Sequence, residues 1–311
     1  MLAKLARVTQ QFLSRGVRQA LLRQKGLSCP ICAEKEPILF ESKRPQKVYI
    51  CPDCRHLFWD CTPNSEELAQ FYRQEYCVTH KQVGRQEVAR DYYRGHVEEL
   101  VQITGRSKKE VCLVDYGSSI PVLIHEAQDT GVARPIAVDL DEMSWDYARR
   151  HGLSIMTPEQ YAQLPDHSVD IVRFAHVLEH LIDPVAAIAV AARKLRPGGL
   201  LYITQPNFPV LKPHRSDYHL KDSVYPGHLH FFSPISLTRL VSRFPFQVLR
   251  LYSVTRHQEV ATELSGLLDL DYASEQLSAM KDLGEANRGV EANYPYYTGE
   301  NSTLYARRLA S

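Results

Sequence analysis

Four short apolar runs, "VCLVD" (111–115), "PIAVD" (135–139), "DIVRFA" (170–175) and "LLYIT" (200–204), recur along the second half of the chain, with a helix-compatible segment between successive runs. Runs of this length bury both faces when they pair side by side as parallel strands, and parallel pairing requires a long crossover, usually a helix. The pattern predicts an α/β fold built on a doubly wound parallel sheet. The helices between the runs carry matching end signals. "IDPVAAIAVAARKLRPGG" places Asp183 at the N-cap, Pro184 at the first helical position, basic residues in the last turns and Gly198-Gly199 past the end. "FSPISLTRLVSRF" repeats the device with Ser233 and Pro234, while "FQVLRLYSV" (246–254) and "STLYARRL" (302–309) read as closing strands around an acidic, largely helical insertion at about 258–289.

A different organisation precedes the sheet. Of seven cysteines, four fall as Cys29-x2-Cys32 and Cys51-x2-Cys54 with eighteen residues between the pairs. Two such knuckles place four thiolates around one Zn²⁺, which orders a segment too small to fold on its own core, so residues 26–62 are expected to form a zinc ribbon with a structural metal. Cys61, Cys77 and Cys112 read as ordinary thiols. "NSEELAQFYRQEY" then opens a helix with Asn64 or Ser65 as its N-cap, leading into a helical connector over 63–109 and the sheet domain over 110–311.

Residues 1–25 hold Lys4, Arg7, Arg15, Arg18, Arg23 and Lys25 without an acid, beside apolar residues at helical spacing. Such a basic amphipathic helix suits peripheral contact with a membrane surface or an anionic ligand, an organellar transit peptide, or simple docking on the domain. With 37 basic and 36 acidic residues the chain is nearly neutral, which gives no global sign of a nucleic-acid partner. No run reaches the 18 or more apolar residues that span a bilayer, and no secretory signal is evident, so a cytoplasmic protein, peripheral at a membrane at most, is expected.

Function points to the carboxyl ends of the strands, where open α/β sheets bind ligands. Asp115 ends the first run and opens "DYGSSIP" (115–121). Asp139 ends the second, 22 residues after Gly117, about where an acid that accepts from two ribose hydroxyls belongs; otherwise it merely caps the next helix.

"VDYGSSIP", "AVDLDEMSWDYARRHGL", "LPDHSVDIVRFAHVLEHLIDP", "LRPGGLLYITQPNF" and "HLHFFSPISLTRLV", in this order, resemble the class I S-adenosylmethionine-dependent methyltransferases. The preceding "CPIC…YICPDCRHLFWDCTPNSEELAQFYRQEY" is similar to the zinc-ribbon branch that acts on nucleotide sugars and glycans. The resemblance covers roughly residues 27–255 and implies a Rossmann-like seven-stranded sheet, S-adenosylmethionine as methyl donor and a sugar-containing acceptor. By the same resemblance, Asp115, Gly117, Ser118, Ser119, Asp139 and His176 would line the cofactor site.

The opening loop departs from the family's D-x-G-x-G-x-G, with Ser119 and Pro121 where two glycines are expected. If position 119 needs a positive φ, serine is strained there; Ser118 and Ser119 as helix N-caps, with Pro121 in the first turn, would be a repair. In "GHLHFFS", His228 matches the family histidine beside the acceptor, with Gly227 in place of a glutamate and Phe231 in place of a tyrosine, which makes His228 the leading general base. Tyr72 and Tyr76 match a segment that folds over the acceptor and would close the site, or else pack as core residues. His176 and His180 lie four apart around Glu179, but Leu181 stands where a metal-holding variant of this segment carries another histidine, so Glu179 and His180 read as supporting residues. Two alternatives remain open at this level: an RNA methyltransferase, against which stand the neutral charge and the lack of an [ND]-P-P-[YF] motif, and a catalytically inactive binding protein that kept the fold.

Overall fold

Successive residues of β4 (Cys112–Tyr116) point to opposite faces of the sheet and are buried on both. Cys112 and Val114 join one apolar cluster and Leu113 the other. The same division runs through β7 (Val169–Ala175), with Val172 and Phe174 against Ile171, and through β8 (Leu195–Pro206), with Leu201 and Ile203 against Leu200 and Tyr202. On one face lie α1 (Arg90–Thr104), α2 (Val122–Asp129) and α3 (Glu142–His151); on the other lie α4 (Pro158–Ala162), α5 (Pro184–Lys194) and α6 (Pro234–Val241). The computed structural model describes residues 26–34, 36–43, 46–61, 63–64, 66, 68, 90–208, 227–254 and 301–310. The expected N-terminal helix, Tyr72, Tyr76, Cys77 and the insertion at 258–289 lie outside the described residues.

With β5 (Arg134–Val138), β6 (Ser154–Met156), β10 (Phe246–Val254) and β11 (Asn301–Arg308), the sheet has seven strands in the order β10-β11-β8-β7-β4-β5-β6. β6, β5, β4, β7 and β8 pair in parallel, whereas β11 runs antiparallel to both β8 and β10. Strand order reverses between β4 and β7, and this places the ligand-binding crevice at their carboxyl ends. The helix signals read from sequence are present: Asp183 caps α5 by accepting from the Ala186 amide at 2.9 Å, and Ser233 with Ser236 forms a capping box on α6. Asn64 accepts from the Glu66 amide at 3.0 Å.

The cysteine-bearing segment builds a second sheet from β1 (Ile38–Lys43), β2 (Gln46–Ile50) and β3 (Leu57–Trp59). Its fourth strand is β9 (His230–Phe231), which comes from the methyltransferase-like half: Leu57 pairs with Phe231 and Phe58 with His230. The ribbon is therefore fastened to the core by main-chain pairing, a connection that spacing along the chain did not announce. Side chains reinforce it. His56 Nε2 and His230 Nδ1 share a buried hydrogen bond of 3.1 Å, and Phe232 packs on the His56 ring at a centroid distance of 4.7 Å. Burial lowers the His230 pKa to about 4 and keeps His56 well below its ordinary value, so both imidazoles are neutral at physiological pH.

The chain has two tryptophans, Trp59 in the ribbon and Trp145 in α3, so the joint can be read from both sides. Phe232→Ala is expected to cost about 3–5 kcal/mol, and the two single-tryptophan variants should report one coincident denaturant transition. Separate transitions would show that the ribbon and the core fold independently.

Candidate active site

The loop that leaves β4 is strapped to the end of the neighbouring strand by its own amides. Gly117 N–H and Ser118 N–H both donate to the Val138 carbonyl, at 2.7 and 3.3 Å, and Ser119 N–H donates to Asp139 Oδ2 at 2.7 Å. The Asp141 amide donates to Asp139 Oδ1 at 2.9 Å, and Ser144 Oγ donates to the Ser119 carbonyl. Asp139 is thus gripped from two sides. Burial pushes its pKa up to about 6, with the Asp141 and Ser119 amides acting against that rise.

Gly117 has φ +69°, and a Cβ there would lie 2.5 Å from Val177 Cγ2, so both the backbone angle and the space demand glycine. Ser119 has φ +50°, the left-handed region that the missing glycine would have entered without strain. The expected repair is not used. α2 starts at Val122 with Pro121 at its N-cap position and no side-chain cap, so neither Ser118 nor Ser119 caps the helix. Ser118 Oγ instead lies buried in the loop with no hydrogen-bond partner.

Asp115, read from the sequence as lining the cofactor site, is engaged within the sheet. It is 3% exposed and its Oδ1 accepts from Arg173 Nη1 at 2.6 Å. The two residues face each other in the parallel register of β4 and β7, so this ion pair braces the strand pair beneath the loop. An arginine inside the apolar run "DIVRFA" was the available signal, because a buried cation needs a buried partner.

His176 follows directly after β7, with φ +56°, an exposed ring and an amide that donates to Thr204 O at 2.8 Å. The chain then turns through a short 3₁₀ segment, Leu178–His180, that carries Glu179 inward. Against this turn lies the Gly227–Leu229 segment, whose Leu229 amide donates to Glu179 O at 2.7 Å. The structure thereby brings His228 next to residues 48 and 49 positions earlier: the His180 and His228 rings meet edge to face at 4.7 Å, and the ligating atoms of Glu179, His180 and His228 all lie within 4.8 Å of one another. Trp59 Nε1 of the ribbon donates to His228 O at 2.8 Å and fixes that backbone from the other side. Glu179 is buried, with His176 Nδ1 at 3.6 Å and His180 Nε2 at 3.8 Å from Oε1. Burial would raise its carboxyl pKa, but the three facing histidines hold it below the ordinary value. A carboxylate beside His228 is present after all, supplied by position 179 rather than 227. The turn that aims Glu179 inward is set by tertiary contact, which a sequence pattern does not encode.

The strand order, the amide-held acid after β5 and the histidine cluster after β7 define the architecture of a class I, Rossmann-like methyltransferase. Residues 86–251, just over half of the chain, match the family described as "Methyltransferase domain", and the chain belongs to that family. It is 32% identical over 123 residues to the "Probable S-adenosylmethionine-dependent methyltransferase" of Mycolicibacterium smegmatis, which covers 37% of this chain and 44% of that protein. It is 30% identical over 119 residues to the "Ubiquinone biosynthesis O-methyltransferase" of Hahella chejuensis, or 36% of this chain and 48% of that protein. The chain spans less than half the length of these curated relatives. Among solved structures, a SAM-dependent methyltransferase from Archaeoglobus fulgidus aligns with 16% identity and a TM-score of 0.48 over 70% of this chain and 94% of that one.

The loop geometry yields a pair of opposed expectations. Gly117→Ala should destabilise the fold by about 1–3 kcal/mol, partly rescued by Val177→Ala, whereas Ser119→Gly should stabilise it by up to about 1 kcal/mol. Denaturant melts decide; a Ser119→Gly variant no more stable than the parent would show that serine carries no strain at that angle.

Proposed function

We propose that the chain transfers a methyl group from S-adenosylmethionine to a hydroxyl or acidic carbon of a sugar-containing acceptor of the nucleotide-sugar or glycan type. The observation that carries this reading is the presence of two half-sites at the ends of β5 and β7, the strands that flank β4: the Asp139 carboxylate held by loop amides, and His228 backed by His180 and Glu179. The hydroxyl is supported by relatives whose names specify O-methyl transfer. The sugar is supported by the ordered sequence resemblance and by the ribbon that anchors His228.

The residues fit the cofactor. Asp139 is placed to accept from two ribose hydroxyls, since each carboxylate oxygen keeps a lone pair beyond the amide it already accepts from. Gly117 keeps the loop free of a side chain, Ser118 Oγ lacks a partner, and exposed His176 lies at the rim. Bound there, S-adenosylmethionine supplies an electrophilic methyl on a sulfonium. His228 takes the acceptor proton as the oxygen attacks, so one C–O bond forms, one C–S bond breaks and the neutral thioether product leaves. Glu179 stabilises the imidazolium that results.

The four ribbon thiols fit a structural zinc. None is in a disulfide, and Cys29 Sγ lies 3.6 Å from Cys54 Sγ and Cys32 Sγ 3.5 Å from Cys51 Sγ. Zn–S bonds of about 2.3 Å give a tetrahedral edge of about 3.8 Å. The Cys54 amide also donates to Cys51 Sγ at 3.4 Å, the kind of contact that steadies a thiolate. Because Trp59 holds the His228 backbone, chelation of the metal is expected to lower methyl transfer as well as ribbon stability; retained activity in fully chelated protein would separate the ribbon from the site.

Calorimetric titration of the zinc-loaded chain with S-adenosylmethionine and its demethylated product should give micromolar binding that Asp139→Ala abolishes. Affinity should be flat above about pH 7 and fall by up to about tenfold per unit below about pH 6 as the carboxylate takes up its proton. The weak binding left to Asp139→Asn should lack this dependence. The same raised pKa means that ionised Asp139 costs folding stability as pH rises through about 6, a cost that the ligand's hydroxyl donors offset. His228→Ala should lower kcat by about 10²–10⁴-fold with cofactor affinity intact. No binding of either ligand would overturn the reading.

A further inference from the structure

We propose that Glu179, His180 and His228 form a divalent-cation site at the mouth of the cofactor crevice, distinct from the four-cysteine site. The three ligating atoms, one carboxylate oxygen and two imidazole nitrogens, lie within 4.8 Å of one another. They comprise the two-histidine, one-carboxylate set that holds a cation on one face and leaves coordination positions open on the other.

Two further features point to a cation. Glu179 is 3% exposed and neither carboxylate oxygen receives a hydrogen bond, the nearest nitrogens being His176 Nδ1 and His180 Nε2 at 3.6 and 3.8 Å. The carboxylate is faced by imidazoles at these longer distances only, and a divalent cation between them would bond it directly. The separation to His180 is close to the about 3.4 Å between ligands bonded at about 2.1 Å around a tetrahedral ion. The second feature is the orientation of His180. Its Nδ1 lies 2.7 Å from the Gly227 carbonyl, which only accepts, so Nδ1 carries a proton and Nε2, facing Glu179, is the nitrogen that a cation would bind. A ring whose outer nitrogen donates to a carbonyl while its inner one faces a carboxylate is arranged as a metal ligand's ring is. His228 is set from behind by the Trp59 bond to its carbonyl. The missing histidine at Leu181 is therefore no obstacle, because the third ligand comes from a distant segment.

The inference rests on the methyl-transfer reading and refines its acceptor. Open positions on a cation suit an acceptor with two adjacent oxygen donors, such as a vicinal diol, and coordination lowers the pKa of the bound hydroxyl. With the cation in place, His228 and Glu179 act as ligands instead of as base and imidazolium stabiliser: the cation-bound acceptor O–H loses its proton to solvent water, the alkoxide oxygen forms the C–O bond and the C–S bond breaks. The soft thiolates of the ribbon and the harder nitrogen and oxygen donors here also sort different ions.

The test uses the full chain with zinc in the ribbon, titrated with cobalt(II) chloride and followed by visible absorption and calorimetry. One further equivalent should bind with nitrogen/oxygen-type bands and no sulfur-to-cobalt charge transfer, and Glu179→Gln should weaken it by at least about tenfold while ribbon zinc is retained. His228→Ala, at a partly exposed position, serves as a second variant if Glu179→Gln does not fold. No further equivalent in the parent, or equal affinity in a folded variant, overturns the site. S-adenosylmethionine titration of the same samples separates the two claims: cofactor binding without cobalt binding refutes only the cation site, and cobalt binding without cofactor binding refutes only the methyl-transfer reading.

Discussion

The pairing of β9 with β3 is the constraint on which the arrangement of the site depends. Two residues of the core, His230 and Phe231, complete a sheet whose other strands belong to the ribbon, and this fixes where the chain passes just before them. His228 is two residues upstream, held by Trp59 of β3 on one side and by the Leu229–Glu179 backbone bond on the other. The first of these contacts is lost if the ribbon is loose. A segment of about 35 residues buries too little apolar surface to be rigid alone, and it gains rigidity by sharing its apolar residues with the face of the large sheet that carries α5 and α6.

The cofactor loop shows a different economy. Glycine at 117 is imposed twice, by angle and by the Val177 methyls, whereas at 119 only the angle asks for it. A serine in the left-handed region costs about 1–2 kcal/mol, and the Asp139 carboxylate and Ser144 hydroxyl each bond this residue's backbone. One of the bonds that hold the strained residue, from its own amide to Asp139 Oδ2, also orients the acid. Strain and ligand recognition are therefore coupled at this position, as expected where the surrounding structure over-determines a local conformation.

Much of the sheet was legible because its strands are apolar on both faces and its helices carry side-chain caps. β10 was read at its observed bounds, and Asp183 and Ser233 cap the helices they were expected to cap. Local chemistry writes such features directly into the sequence. The site was legible only by residue type. Asp139 and His228 could be singled out, but the commitment of Asp115 to Arg173 depends on strand register, and the meeting of Glu179 with His228 depends on a 3₁₀ turn packed against a segment 47 residues away. The His56–His230 pair bridges 174 positions and left no periodic trace. The serine repair is not used for a physical reason: the Ser118 and Ser119 amides are tied to the Val138 carbonyl and to Asp139, and the helix starts only at Val122, too far along the chain for either side chain to sit at its N-cap.

These dependencies form one mechanical series. The four cysteines meet between the two knuckles, the second knuckle leads into β3, and Trp59 at its end bonds the His228 carbonyl. On the other side, Gly117 packs against Val177, and two residues on, Glu179 closes on the same histidine pair. The histidine cluster therefore receives its position from the ribbon on one flank and from the cofactor loop on the other. Methyl transfer of the kind proposed gains most of its rate from such positioning. On the proposed reading, the four-cysteine knuckles and the strained loop act on the same variable, the distance between donor and acceptor.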